Sequence, residues 1–489
     1  NLFIYIPAIL YLMGVSLIAS YKFLVLFINI GTAAAGYYSF SRLLKSDRAG
    51  AVCTFLYMVN PYRLNNIFLR GAVGEVLAQI FFPLLLYALI EVVHRDYKKW
   101  WLLVVSVTGI LQSHILSLEY SALLSVVFLA FSWKQFVGRN GIKRIGACFK
   151  AAGMIIVINL WFLIPFLDQL KQGYILVNDQ RSMSQHAVYL YQMFFSFFDI
   201  SGGDIPDGLT GEMPLTIGIV LLAGSILFIY LAFGKKVIEE FDCGIGKMCL
   251  FPGAVMCYMS SELFPWGFLE KDCKSVYSIL AKIQFPWRLL GYAMLFLCIV
   301  TTIVIIYMAE HGKKEIAAAL LLVSAFLMLE CMDGYLTDGE VLVSNRSQYI
   351  AAGTYADYYR SDFPVNDWGK IGSEAGLIIV DSGSSIKIEQ YEKNGVDLQF
   401  HFLGKETSEA VELQLPLYNY YLHEVMLNGQ RLETAAGADG RISIVLPEGV
   451  SEGMISAEYV GRILYKVCDW ISVLGTAGVI VIFVRRKIR

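Results

Sequence analysis

Apolar runs about as long as a bilayer is thick recur along this chain, and that recurrence limits what it can fold into. A helix needs about 20 mostly apolar residues to cross the hydrocarbon of a membrane. Eleven such spans are predicted, at 23–43, 48–62, 74–92, 99–115, 117–133, 147–168, 213–233, 247–263, 289–309, 313–331 and 465–485. A twelfth apolar stretch, 2–19, is interrupted by Pro7 and has no flanking charge, so it fits either a span or an interfacial segment. Composition agrees with this reading. The chain is 57% apolar and 16% charged, with a mean hydropathy of +0.58, whereas soluble domains average about 25% charged residues. The expected fold class is therefore a polytopic α-helical membrane protein of about 11–12 spans. A net charge of −2 gives no electrostatic footprint for nucleic acid.

Orientation follows from the basic residues of the short connections, because Lys and Arg accumulate on the cytoplasmic side. One set of connections carries twenty of them, including Arg42, Lys45 and Arg48, the run Lys134–Lys150, and the tail Arg485, Arg486, Lys487 and Arg489. The opposite set carries nine over a greater length. The C-terminus is thus expected in the cytoplasm and segment 332–464 outside. The outside connections are the elaborate ones: 61–73, 171–212, 264–288 and 332–464. Loops on a rigid scaffold commonly carry function, which directs attention to that face. Residues 1–331 then form the membrane domain, and 465–489 the final span with its basic tail.

The hydrophobic period changes near residue 374. From there to about 460, seven segments alternate apolar and polar residues as half-buried strands do. Asn428-Gly429 and Asp439-Gly440 are hairpin signals. An extracytoplasmic β-sandwich at about 374–460, inside the 332–464 domain, is expected before the last span. The stretch 332–373 is irregular and rich in aromatics, among them Tyr349, Tyr355, Tyr358, Tyr359, Phe363 and Trp368.

Nine cysteines lie scattered, mostly in apolar runs, where Cys acts as a small buried hydrophobe. No CxxC or Cys/His spacing points to zinc, so neither a disulfide framework nor a structural metal is expected. Asp179, Asp199, Asp204 and Asp207 sit in the glycine-containing outside loop without metal-ligand spacing. A divalent metal has no support there and no cofactor is predicted. The chain begins at Asn1 without the basic region of a signal peptide, so an N-terminally incomplete protein is expected.

Three outside constellations carry candidate chemistry. The first is Asn60-Pro61-Tyr62-Arg63, followed by Arg70-Gly71-Ala72-Val73-Gly74-Glu75. Arginine matches a phosphate bidentately, so Arg63 or Arg70 fits a phosphate at headgroup level, with Glu75 orienting the arginine or a sugar hydroxyl. The same residues also fit a helix-cap carboxylate with two interfacial arginines. The second is Ser113-His114 with Glu119, at a tight turn between spans. There His114 suits a phosphate contact or proton transfer, or equally a cap. The third is Gln284-Phe285-Pro286-Trp287-Arg288, after a stretch of amphipathic spacing from Val276 to Ile283. Trp287 is predicted as a headgroup-level anchor, with Arg288 at the interface or in a cleft.

Taken together, Tyr57-Met58-Val59-Asn60-Pro61-Tyr62-Arg63, Arg70–Glu75 with Pro83 eight residues on, Ser113-His114 and Gln284–Arg288 resemble a known family. It is the bacterial membrane proteins called 6-pyruvoyl-tetrahydropterin synthase-related, relatives of the YfhO family grouped with the GT-C integral membrane glycosyltransferases. The late β-rich domain followed by one span is similar to YfhO-type proteins. The resemblance implies a GT-C-like fold and transfer of a sugar from a polyprenyl-phosphate donor, on the extracytoplasmic face, to a glycan, lipid or cell-wall polymer. It also implies a catalytic acidic residue in the first outside loop. Asn1–Ser20 resembles the stretch that precedes a second span, so that residue is expected upstream of Asn1 or absent. Glu75, His114 and Glu119 are the catalytic candidates within the chain. Arg63, Arg70 and Arg288 are the candidates for the lipid phosphate. Two alternatives stand beside the transferase, a transporter or flippase of lipid-linked glycans and a non-catalytic envelope assembly protein. Transporters commonly carry internal repeats and mid-membrane ionisable groups; no repeat is evident, and the ionisable groups cluster at span ends.

Overall fold

The computed structural model describes residues 2–171, 182–195, 214–337, 378–380, 386–404, 411–437 and 440–488. The four aspartates of the loop at 171–212 and the aromatic stretch Tyr349–Trp368 lie outside the described residues. The chain divides into two compact units: Asn1–Ile155 with Gln180–Glu340, and Ile156–Asp179 with Val341–Arg489.

The first nine helices are α1 (Tyr5–Leu12), α2 (Leu17–Leu43), α3 (Asp47–Met58), α4 (Pro61–Phe68), α5 (Val73–His94), α6 (Trp101–Ser113), α7 (Ile115–Phe131), α8 (Lys134–Val137) and α9 (Gly141–Leu170). Local chemistry sets their limits. The Ser46 side chain caps α3 by accepting the Ala49 N–H, and Asn60 caps α4 by accepting that of Tyr62. Such caps contribute about 1 kcal/mol each. Pro61 follows at the first position of α4, where its missing N–H costs nothing. The stretch 2–19 breaks at Gly14, whose φ is +93°, and not at Pro7, which lies in the first turn of α1. At eight residues, α1 is too short to cross a bilayer. Phe3 rests against Phe27 and Phe81.

Among the described residues, six helices are long and apolar enough to cross a membrane: Leu17–Leu43, Val73–His94, Gly141–Leu170, Pro286–Glu310, Lys314–Asp333 and Ile463–Val481. The chain is a polytopic α-helical membrane protein with an antiparallel β region before its last helix. Other predicted spans fold as shorter helices. The run at 48–62 becomes the twelve-residue α3 and then α4, and the run at 99–115 becomes the thirteen-residue α6. The run at 213–233 contains Ile219–Ile229 followed by a π-helical turn, Tyr230–Lys235.

Two helices form the buried centre of the first unit. Both α5 and Leu290–Glu310 are buried along almost their whole length. The surrounding spans are not. On α2, Leu26 and Ile30 are exposed, as are Leu322, Phe326 and Leu329 on Lys314–Thr337. Apolar surface of that extent on long helices suits contact with lipid. Close helix approach relies on small residues, as is common in membranes. A Cβ added at Gly50 would come within 2.7 Å of the Ser41 Cα. At one end of α5, the buried Glu91 pairs with Lys99 at 2.7 Å and Arg95 at 3.7 Å. Arg95 also donates to the carbonyls of Arg42 and Leu43, at 3.1 Å each, where a cation suits the end of a helix.

Among the described residues the second unit holds nine strands: β1 (Ile379–Val380), β2 (Ile386–Asn394), β3 (Asp397–Gly404), β4 (Val411–Tyr418), β5 (His423–Leu427), β6 (Gln430–Leu432), β7 (Thr434–Ala436), β8 (Arg441–Leu446) and β9 (Glu452–Tyr459). They form two antiparallel sheets, ordered β1-β4-β8-β7 and β2-β3-β9-β5-β6. One core joins both: Phe400, Phe402, Val425, Ile455 and Ala457 from one sheet pack with Leu413, Leu415, Ile442 and Ile444 from the other. The turn Asn428-Gly429 joins β5 to β6 with φ of +51° and +84°. Two successive positive φ values are what a two-residue hairpin turn needs. The alternation 441–446 is β8; the short β6 and β7 emerge in a stretch whose turn residues mask strand periodicity. In the same unit, Asp168 accepts from Arg462 Nη1 and the Tyr465 hydroxyl, both at 3.0 Å. Ser472 Oγ donates to the Val157 carbonyl at 3.1 Å.

Candidate functional site

The site gathers around Glu75, in the first turn of α5. Its sequence logic starts on α4. Tyr62, Asn66 and Arg70 recur every fourth residue, the spacing that places side chains on one helical face. All three turn to the same carboxylate. The Tyr62 hydroxyl donates to Oε1 at 2.9 Å and Asn66 Nδ2 to the same oxygen at 3.1 Å. Arg70 Nη1 lies 3.2 Å from Oε2. Arg288 reaches that oxygen from a distant part of the chain, with Nε at 3.7 Å. Glu75 is 5% exposed, and a buried charge of this kind requires partners. Gly71, with φ of +57°, provides the left-handed turn that brings Glu75 back beside Arg70.

The two arginines are themselves held. Arg70 donates to Asn66 Oδ1, and its guanidinium lies 4.1 Å from the centre of the Trp287 ring, a cation–π geometry. Arg288 donates to the Ile283 carbonyl at 2.9 Å and to Gln284 Oε1 at 2.8 Å. Gln284 occupies φ of +69°, an uncommon backbone state for a residue with a side chain. Their side chains are 12% and 14% exposed, so each retains an edge at the surface.

His114 sits in the turn between α6 and α7. Its Nδ1 accepts the Ser117 N–H at 3.3 Å, which caps α7. A backbone N–H can only donate, so this bond assigns the ring proton of neutral His114 to Nε2. Gly74 makes the approach of this turn possible. A Cβ there would lie 3.1 Å from the Ser113 carbonyl oxygen and 3.2 Å from His114 Cδ2. Glu75, His114, Ser117, Arg288 and Tyr292 line one cleft. Tyr292 stacks on Phe82 with ring centres 4.4 Å apart and donates to the Ser117 carbonyl at 2.9 Å. The enclosed space is about 10 Å³, close to the minimum for one water. A larger ligand must therefore enter from the arginine side or part these side chains.

The predicted site residues thus separate into two groups. Glu75, Arg70, Arg288 and His114 come together. Arg63 and Glu119 do not. Arg63 is fully buried on the other side of α4, where it donates to the Met58 carbonyl at 3.3 Å, Asn29 Oδ1 at 3.0 Å and Thr32 Oγ1 at 3.2 Å. Glu119 lies at the surface, paired with Lys282 at 3.1 Å. Trp287 is 1% exposed and stacked on Phe285, with ring centres 4.8 Å apart. It therefore cannot serve as the predicted headgroup anchor, because its ring is enclosed within the fold. Tyr62 stands in the first motif without a role and Asn66 lies between the motifs, although their four-residue spacing was a usable signal. Tyr292 and Ser117 carried none, because a single hydroxyl in an apolar span looks like any other. No group of His, Cys, Asp and Glu among the described residues has a metal-binding arrangement.

Residues 2–239, which include Glu75, Arg70 and His114, match the family model of the 6-pyruvoyl-tetrahydropterin synthase related domain, a membrane protein. This region of the chain belongs to that family. Arg288 lies beyond the matched region, so the domain's cleft is completed by a later helix of the same chain. No curated protein and no solved structure matches the chain.

Proposed function

We propose that this membrane protein binds the phosphate of a polyprenyl-phosphate sugar at the Arg70–Glu75–Arg288 cluster and transfers the sugar to an extracytoplasmic glycan, lipid or cell-wall polymer. The reading rests on one observation: two guanidiniums share one buried carboxylate. Two positive charges against one negative leave the cleft electropositive, and both arginines keep an exposed edge. Planar guanidiniums match phosphate oxygens bidentately. The family resemblance supplies the donor class, and the excess of basic residues at the opposite ends of the spans supports the orientation in a bacterial plasma membrane, with the C-terminus cytoplasmic.

In such a transfer an acceptor hydroxyl attacks the anomeric carbon. The bond from that carbon to the phosphate oxygen breaks, and the polyprenyl phosphate departs with its added negative charge. Arg70 and Arg288 stabilise that charge where it develops. Neutral His114 offers Nε2–H as a further donor. Glu75 acts here as a positioning residue for both arginines, because its oxygens already receive Tyr62, Asn66, Arg70 and Arg288. The acceptor proton then needs another base.

That last point favours a second reading, a non-catalytic envelope assembly protein that holds the lipid-linked sugar. Purified protein supplied with labelled polyprenyl-phosphate sugar separates the two. Release of free polyprenyl phosphate supports transfer; binding without release supports assembly. Label crossing sealed vesicles without release would instead support a transporter and refute both.

A further inference from the structure

Three connections of the first unit meet at the end of α5 remote from Glu75. Arg95, just beyond α5, donates to the carbonyls of Arg42 and Leu43, the last residues of α2. Arg144, in the first turn of α9, donates to the Val92 carbonyl at 3.4 Å. His94 Nε2 lies 3.1 Å from Ser132 Oγ, at the end of α7. The segments 42–48, 91–99 and 134–144 are thereby drawn together. They hold ten Lys and Arg residues against three carboxylates, Asp47, Glu91 and Asp96. The excess is seven positive charges, in a chain whose net charge is −2. The adjoining stretch 235–247 places Phe241 beside Lys45 and Arg95 and balances three lysines with three carboxylates. Pairing within the face does not remove the excess, because the field is the sum of all its charges.

Apolar side chains are interleaved with these cations. Phe131, Trp133, Val137 and Ile142 are exposed, Trp133 by 58% and Ile142 by 87%. They alternate with Lys134, Arg139 and Lys143 along the connection from α7 to α9. Exposed aromatic and aliphatic groups beside cations suit the boundary between acyl chains and headgroups. The cationic groups of Arg42 and Lys45 rest 3.8 Å and 4.1 Å from the centres of the Tyr38 and Phe241 rings, as long basic side chains do at such a boundary. With its 22 residues, α5 is about 33 Å long. That length separates this face from the Arg70–Arg288 cluster by about the thickness of the hydrocarbon.

We propose that this face binds the headgroups of anionic phospholipids, with Phe131, Trp133, Val137 and Ile142 among the acyl chains. A basic cluster beside the ends of membrane helices attracts acidic lipids, each cation contributing about fivefold in affinity. A zwitterionic headgroup brings a phosphate but also a cation of its own, which the excess positive charge repels. A soluble phosphate lacks the chains that the apolar residues meet. The inference stands apart from the transferase reading, since it uses none of the residues of that site.

The test is native mass spectrometry of the full chain in neutral detergent, titrated with phosphatidylglycerol and with phosphatidylcholine of the same acyl chains. Phosphatidylglycerol should bind at least about tenfold more tightly. Lys45→Gln/Arg48→Gln/Arg139→Gln/Lys143→Gln, all at exposed positions, should reduce that preference to about twofold or less. Lys143→Gln alone, expected to lose about fivefold, serves if the quadruple variant does not fold. Lys387→Gln, in an exposed pair with Glu389 on the β-domain, should change nothing. Arg70→Ala/Arg288→Ala should leave the preference intact, which separates this face from the cluster at the other end of α5. Saturating phosphatidylglycerol fills this face, so that polyprenyl phosphate added afterwards reports on the Arg70–Arg288 cluster. Glycerol 3-phosphate, which carries the charge without the chains, should not displace the lipid at equal concentration. Equal binding of the two phospholipids, a preference that survives the quadruple substitution, or displacement by glycerol 3-phosphate would overturn the proposal.

Discussion

Replacing Glu75 by Gln keeps the side chain's shape and one oxygen acceptor while removing a single negative charge. The perturbation is sharp because that charge holds two cations. Arg70 lies at 3.2 Å and Arg288 at 3.7 Å, with 12% and 14% of their side chains exposed. At an effective dielectric of about 20, a unit pair near 4 Å is worth about 4 kcal/mol before desolvation. Breaking a buried pair from one side costs about 3–5 kcal/mol, because the remaining charge is left uncompensated. Glu75→Gln should therefore destabilise the protein by about 3–5 kcal/mol in equilibrium unfolding from detergent micelles. Arg70→Ala should cost less, about 1–2 kcal/mol, since Glu75 keeps Arg288, Tyr62 and Asn66. The double variant should be less damaged than the sum by about 1–3 kcal/mol, the coupling expected of residues in one network. Additive losses, or a Glu75→Gln variant within about 0.5 kcal/mol of wild type, would refute the shared-carboxylate account.

Other substitutions probe the boundaries of the site. Arg63→Ala should destabilise by about 3 kcal/mol or more, because it leaves the Asn29, Thr32 and Met58 acceptors buried; polyprenyl phosphate should still bind the fraction that folds. Glu119→Ala should alter unfolding by no more than about 0.5 kcal/mol, since its pair with Lys282 is exposed. Gly74→Ala should displace the Ser113–His114 turn and lower transfer while the protein stays folded, as read by transfer rate alongside the unfolding midpoint. Gly429→Ala should destabilise the β-domain by about 1 kcal/mol, because φ is +84° there; hydrogen exchange of β5 and β6 reports it.

The membrane class was legible because length and apolarity act through the solvent, and every spanning helix must satisfy the same requirement. The Asn428-Gly429 turn was legible because few residues accept its backbone. What sequence did not reveal has equally physical causes. The run at 48–62 breaks into α3 and α4 because the Asn60 cap and Pro61 restart the helix inside an apolar stretch. Arg63 and Arg70 look alike as letters, yet α4 ends at Phe68 between them, and one turns onto Asn29 and Thr32 while the other turns onto Glu75. Arg288 joins Glu75 from 213 positions further along the chain, a pairing that no local pattern encodes. Trp287 looks like an interfacial anchor in the sequence, but Phe285 and Arg70 pack against its ring inside the fold.

The most direct test compares binding of polyprenyl phosphate and of the uncharged polyprenol to the purified protein in detergent. The two ligands share their lipid and differ only in the group that Arg70 and Arg288 are held to recognise. Polyprenyl phosphate should bind at least about tenfold more tightly, and Arg70→Ala/Arg288→Ala should erase that preference while leaving polyprenol binding unchanged. Equal affinity for both lipids in the wild-type protein, or a preference that survives the double substitution, would contradict the account.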